Sequence, residues 1–210
     1  MKAIIFDLDG VICHTDEYHY LAWKAMAASM NIPFDRQVNN RLRGVSRMES
    51  LEIFLEQYHG ALSPAEKKAL AEQKNELYKE SLQKMSPADL SEEVKTTLDT
   101  LRDRGYKLAI GSSSKNARFI LQQLGLGCYF DAISDGNNIT NSKPDPEVFV
   151  KAAQMLCVPF AECLVVEDAV SGAIAGKAGG MQVACVGDAS AQKAGDYNLT
   201  SFAQLLEVAR

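Results

Sequence analysis

No apolar run in this 210-residue chain approaches the ~20 residues a helix needs to cross a bilayer, so the sequence offers no membrane span. A secretory leader is not expected either: the chain enters an apolar segment at Ala3, and Asp7 and Asp9 interrupt what would be its apolar stretch. Basic residues are outnumbered, 22 Lys and Arg against 27 Asp and Glu, leaving a formal charge of −5. That balance argues against a sequence-independent grip on nucleic acid. It still permits a few basic groups around one cleft to hold a small phosphorylated molecule. The five cysteines (Cys13, Cys128, Cys157, Cys163, Cys185) are widely spaced and form no CxxC pair. They point to a reduced, cytoplasmic compartment. Internal repeats and low-complexity tracts are also missing.

What the chain does contain is an apolar opening, Ala3-Ile4-Ile5-Phe6, that runs into Asp7-Leu8-Asp9-Gly10. The run reads as a strand of a parallel sheet, buried on both faces. Two carboxylates one residue apart close it, followed by a glycine that breaks it. Open α/β sheets bind ligands at the carboxyl ends of their strands. Carboxylates this close repel, and burying either alone is costly. A hard cation with oxygen ligands, such as Mg²⁺, relieves both problems. Taken alone, the same residues also read as an acidic turn after a strand.

The pattern then turns helical. Residues 16–30 carry apolar or aromatic groups at amphipathic spacing, and further helices are predicted over 35–42, 47–58 and 64–84. Ser63, Pro64 and Glu66 form an N-terminal signature for the last of these. Nothing between His14 and Met85 reads as a strand. From Ser86 onward, helices and short apolar runs alternate. Strands are predicted at 107–111, 130–134, 163–166 and 182–186, the last clear one, with helices at 92–104, 115–124, 146–157 and 171–178. Alternation of this kind indicates a parallel sheet with helices on both faces. The expected fold class is therefore α/β, a Rossmann-like doubly wound parallel sheet formed by residues 1–13 and 86–210. An all-helical cap, residues 14–85, is inserted after the first strand.

The later strands each deliver polar residues to the same edge. Gly111-Ser112-Ser113-Ser114 precedes Lys115-Asn116 at a helix start, where hydroxyls and helix amides suit an anion. Serine is equally a common helix cap. Ser142-Lys143-Pro144-Asp145-Pro146 holds a lysine in a proline-bracketed loop, and Glu167-Asp168 follows Leu164-Val165-Val166. Singly, these read as a solvated lysine and ordinary turn acids. Jointly, four successive loops supply Asp/Asp, Ser, Lys and Glu/Asp, the parts phosphoryl transfer needs: a nucleophile, an acid/base, a cation site and donors to the phosphoryl oxygens.

On these motifs the chain resembles the haloacid dehalogenase superfamily of aspartyl phosphotransferases. Within it, the chain most resembles the β-phosphoglucomutase group. That second likeness rests on Asp7-Leu8-Asp9-Gly10-Val11, Thr15 with Glu17-Tyr18-His19, Ala22-Trp23-Lys24, Gly44-Val45-Ser46-Arg47, Lys74-Asn75, Ser86-Pro87-Ala88-Asp89, Ser114-Lys115-Asn116 and Ser142-Lys143-Pro144. The resemblance implies Asp7 as nucleophile and Asp9 as general acid/base. It implies Mg²⁺ held by Asp7, the backbone carbonyl of Asp9, Glu167 and Asp168. Ser112 and Lys143, helped by Asn116, would hold the transferring phosphate, with Ser114, Lys115 and Thr15 also on the substrate side. In the cap, Arg47 would grip a second phosphate through its bidentate fork. Lys74 and His19 would orient the substrate, and Trp23 would pack beside the sugar. As plain residues, Arg47 and Lys74 also read as surface charge, His19 as a structural helix residue and Trp23 as core.

One departure from many relatives is Cys13-His14-Thr15, where an acid commonly precedes the hydroxyl residue; Asp16 follows instead. The implied activity interconverts β-D-glucose 1-phosphate and glucose 6-phosphate through a bisphosphate, in a monomer whose partner is a small sugar phosphate. The rival expectations are a sugar-phosphate phosphatase on the same scaffold and a non-catalytic sensor of phosphometabolites.

Overall fold

The computed structural model describes residues 1–42 and 45–209. The chain divides into two compact units, one formed by Met1–His14 with Met85–Arg210 and the other by Thr15–Lys84.

The first unit is built on a six-stranded parallel sheet in the order β3-β2-β1-β4-β5-β6. Its strands are β1 (Ala3–Phe6), β2 (Lys107–Gly111), β3 (Ala132–Ser134), β4 (Cys163–Glu167), β5 (Gln182–Cys185) and β6 (Tyr197–Asn198). This is the doubly wound order whose ligand crevice opens where the winding reverses, beside the central strand. Every residue of β1 is fully buried, as a central strand covered on both faces requires. Successive side chains point to opposite faces. Ala3, Ile5, Ala109 and Val165 share one cluster with Phe149 and Ala173, while Phe6 stacks on Phe202 at 6.0 Å and meets Phe130 at 6.2 Å.

Ten α-helices are found among the described residues. Four form the second unit: α1 (Asp16–Met30), α2 (Arg36–Arg41), α3 (Arg47–Phe54) and α4 (Pro64–Leu82). The other six are α5 (Glu92–Asp103), α6 (Ala117–Gln123), α7 (Glu147–Leu156), α8 (Val170–Ala178), α9 (Gly187–Ala191) and α10 (Leu205–Val208). Local chemistry fixes the starts of the helices in the second unit. Ser46 with Glu49, and Ser63 with Glu66, make reciprocal capping boxes, and Pro64 occupies the first turn of α4. Asn31 ends α1 in the left-handed conformation at φ 54°. Trp23, Met26, Leu51, Phe54 and Ala71 form the core of this unit, which holds no strand among its described residues. No described helix is long and apolar enough to cross a membrane.

Three differences from the sequence expectation have a visible cause or consequence in the sheet unit. The helix expected from residue 115 begins at Ala117, because the Ser112 and Ser114 hydroxyl oxygens accept the amides of Ser114 and Asn116, both at 3.2 Å, and hold a loop there. The third strand begins at Ala132 rather than 130. Phe130 packs on Phe6 instead, and the Asp131 carboxylate accepts the Leu108 amide at 2.8 Å. The strand at 182–186 is not the last, since β6 follows it. Gly44, in the segment expected to lead into α3, lies outside the described residues.

Candidate active site

In the sheet unit, the backbone register assembles the carboxylates. Phe6 is level with Ile110 on one side and Val166 on the other, so Asp7, one residue on, falls beside Gly111 and Glu167. The Asp7 amide continues the ladder to the Val166 carbonyl at 2.9 Å. Asp7, Glu167 and Asp168 are all buried, with oxygens within 4.8 Å of one another.

Two glycines make room for them. A Cβ at Gly10, whose φ is +90°, would lie 2.1 Å from an Asp168 carboxylate oxygen. A Cβ at Gly172, in α8, would lie 1.8 Å from Glu167 Oε1. Lys143 reaches this group from the β3–α7 segment. Its ammonium pairs with Asp7, and with Glu167 Oε1 at 2.6 Å, and lies 4.6 Å from the Phe149 ring centroid.

Charge is out of balance here. Burial raises the Asp7 carboxyl well above the usual range; Lys143 pulls it back, while Glu167, Asp9 and Asp168 push it further up. Burial also works against the Lys143 ammonium, but Asp7 and Glu167 outweigh it and hold the proton on. One ammonium thus faces a crowd of carboxylates. The donor set is all hard oxygen, which suits a divalent cation. Asp9 is not in this cluster of three; it sits in the tight turn that pairs it with Cys13. The Cys13 thiol is buried and pushed far up by burial and by Asp9 and Asp7, so it is no nucleophile.

The phosphate-loop candidates follow β2. Ser112 and Asn116 are buried, Ser114 is half-buried and Lys115 is exposed. Having accepted an amide each, the Ser112 and Ser114 hydroxyls keep their O–H hydrogens to donate. Residues that sequence reasoning missed support this loop. The Gly136 amide donates to the Ser114 carbonyl at 3.1 Å, and the Asn137 side chain donates to the Lys115 carbonyl at 3.0 Å. A Cβ on Gly136 would lie 2.4 Å from the Ser113 carbonyl oxygen. The Asp-Gly-Asn-Asn run at 135–138 carried only a turn signal.

In the helical unit, side chains build the arrangement. Lys74 is buried in the middle of α4, and its ammonium lies 2.7 Å from His19 Nδ1 on α1. It also lies 4.7 Å from the Tyr78 ring centroid and 5.0 Å from that of Trp23. His19 stacks on Tyr78 at 3.9 Å. Burial lowers the His19 pKa well below the usual value, with Lys74 and Arg47 adding to the effect. The imidazole is therefore neutral, and its Nδ1 accepts from Lys74. Arg47 opens α3, half-buried, and donates to Asn75 Oδ1 at 2.9 Å. Thr15 is buried at the N-cap of α1, where its carbonyl accepts the His19 amide at 3.0 Å. Trp23 is a core residue of this unit, 3% exposed and 4.8 Å from the Phe54 ring centroid.

Known proteins share this plan. The model of the haloacid dehalogenase-like hydrolases matches residues 1–180. The chain belongs to that family. This family member is 45% identical over 190 residues to a β-phosphoglucomutase of Bacillus subtilis, covering 89% of this chain and 84% of that one. A crystal structure of β-phosphoglucomutase from Clostridium difficile superposes with a TM-score of 0.91 at 34% identity, covering 100% of this chain and 96% of the other. A phosphorylated carbohydrates phosphatase of Thermotoga maritima is 31% identical over 185 residues, covering 87% and 83%. The chain is an enzyme of this family, with its greater likeness to the phosphoglucomutase branch.

Proposed function

We propose that the enzyme interconverts β-D-glucose 1-phosphate and glucose 6-phosphate through a phosphorylated Asp7 and a β-glucose 1,6-bisphosphate. The observation that carries the reading is that the helical unit holds cations of its own. Arg47 is half-buried and held by Asn75, with Lys74 buried in the same unit. A hydrolase needs one phosphate site, whereas a bisphosphate that turns over between two orientations needs two.

In this reading the Asp7 carboxylate attacks phosphorus, and the sugar oxygen leaves with a proton from Asp9. In the reverse half, Asp9 takes the proton of the attacking sugar hydroxyl as its oxygen bonds to the phosphorus carried by Asp7, and the Asp7 carboxylate is released. Ser112 and Lys143 hold the equatorial oxygens, with Asn116 beside them, Ser114 and Lys115 stand on the substrate side of the same loop, and Arg47 grips the second phosphate. Thr15, His19 and Lys74 orient the sugar. A divalent ion bound there, Mg²⁺ by its preference for hard oxygens, would be held by Asp7, Glu167, Asp168 and the Asp9 carbonyl, and would neutralise charge on the transferring group. The five free thiols support a reducing, cytoplasmic setting, and we take the working form to be a monomer.

The phosphatase of Thermotoga maritima favours a second reading, hydrolysis of sugar phosphates. A panel of sugar phosphates with Mg²⁺, with and without a bisphosphate activator, separates the two. Glucose 6-phosphate should form from β-glucose 1-phosphate faster than inorganic phosphate appears. Release of phosphate with no isomerised sugar, even with bisphosphate present, gives the phosphatase reading the win.

A further inference from the structure

The segment from Asp135 to Pro146 has no regular structure, yet it delivers Lys143 to the carboxylates. What shapes it is α7. One carboxylate oxygen of Glu147, the first residue of that helix, turns back to accept the amides of Thr140 at 3.0 Å and Asn141 at 2.7 Å. The other pairs with Lys151, one turn on, at 2.6 Å. The same Lys151 ammonium donates to the Asn138 carbonyl. Past Lys143, the Asp145 amide donates to the Ser142 carbonyl at 3.1 Å, and Asp145 Oδ1 accepts the Glu147 amide at 2.9 Å. Lys143 sits at the apex of a segment fastened to α7 on both sides.

A carboxylate at a helix start is favourable for its dipole alone, but that purpose leaves the side chain in water. The Glu147 side chain is only 18% exposed and is committed to the loop. Its Lys151 partner, then the Asn141 and Thr140 amides, hold its pKa down to about 2, so it accepts as an anion at any neutral pH.

We propose that Glu147 is a positioning residue: with Lys151, it holds the loop that places the Lys143 ammonium at the transferring phosphate. This rests on the reading of Lys143 given above. Misplacing a reacting partner by ~1 Å costs on the order of a hundredfold, and a loosened lysine should cost somewhat less.

The test is a double-mutant cycle. Glu147→Ala should slow phosphoryl transfer about tenfold or more and weaken inhibition by inorganic phosphate by a similar factor. Glu147→Gln keeps an acceptor for both amides and should recover most of the loss. In a Lys143→Ala background, adding Glu147→Ala should change the rate by less than about twofold. If Glu147→Ala does not fold, Lys151→Met carries the same cycle with a smaller step. An additive loss in the Lys143→Ala background overturns the clamp alone. A Lys143→Ala enzyme at the wild-type rate overturns the role of Lys143, and the clamp with it.

Discussion

The two units place their polar groups by different means. In the sheet unit, backbone register does the placing: Asp7 and Glu167 stand at the ends of adjacent paired strands, and two glycines leave room for the carboxylates. In the helical unit nothing is placed by register. Lys74 and His19 come from different helices, and packing alone sets their 2.7 Å approach, with the Tyr78 and Trp23 rings closing around the ammonium. On the proposed reading, chemistry that tolerates little displacement is written into a ladder, whereas recognition is written into side chains that can be exchanged one at a time.

The largest effect expected from breaking this contrast is at Asp7. Asp7→Asn keeps the shape and the backbone ladder but removes the nucleophilic charge. Transfer to every substrate should vanish while the melting curve stays cooperative. Turnover at the normal rate by the folded variant would remove Asp7 from the chemistry. Asp9→Asn comes next, with an expected loss of 10²–10⁴-fold for a missing proton transfer. Calorimetry should find Mg²⁺ binding little changed, because the Asp9 side chain is outside the acidic cluster. Loss of metal affinity with undiminished chemistry per bound ion would reverse that assignment.

The helical unit should respond more selectively. Arg47→Ala removes a charge-assisted contact worth on the order of 1.5–3 kcal/mol, or about ten- to a hundredfold in rate. Isomerisation should fall by that factor while hydrolysis of a small phosphate ester holds. Equal slowing of both would make Arg47 a structural residue. The smallest effect concerns His19. Its folded pKa is depressed, so the unfolded chain, with a histidine pKa of about 6.5, takes the proton first. Stability should then fall as pH drops through that value, because the folded state cannot follow. Imidazole resonances observed by NMR should show His19 still neutral at pH about 6; a midpoint near 6.5 would contradict the half-buried, lysine-facing site.

Much of the sheet unit was legible because buried parallel strands are short, apolar and closed by polar residues. The runs ending at Phe6, Gly111 and Val166 announced both strand and site edge. The two-residue β6 carried no such signal, and Lys115 and Asn116 read as the first turn of a helix because the serines before them resemble a helix cap. The partners of the two spacious glycines were not legible either. Gly10 meets Asp168 from the far end of the chain, and only three dimensions join them. Glu147 advertised itself only as a helix-start acid with a lysine four residues on; its bonds to Thr140 and Asn141 point backward out of the helix. In the helical unit, periodicity found the helices but could not tell a lysine in solvent from one enclosed by three rings.

Gly172 carries a warning for anyone engineering this scaffold. A glycine inside a helix costs about 1 kcal/mol relative to alanine, and glycine-to-alanine exchange is a routine route to thermostability. A design procedure ranking α8 by helix preference would select this position early. Here the added methyl would sit on the Glu167 carboxylate, so the gain in helix preference would be taken directly out of the buried acidic cluster. Heat tolerance is better sought on the outer surfaces of α5 or α4.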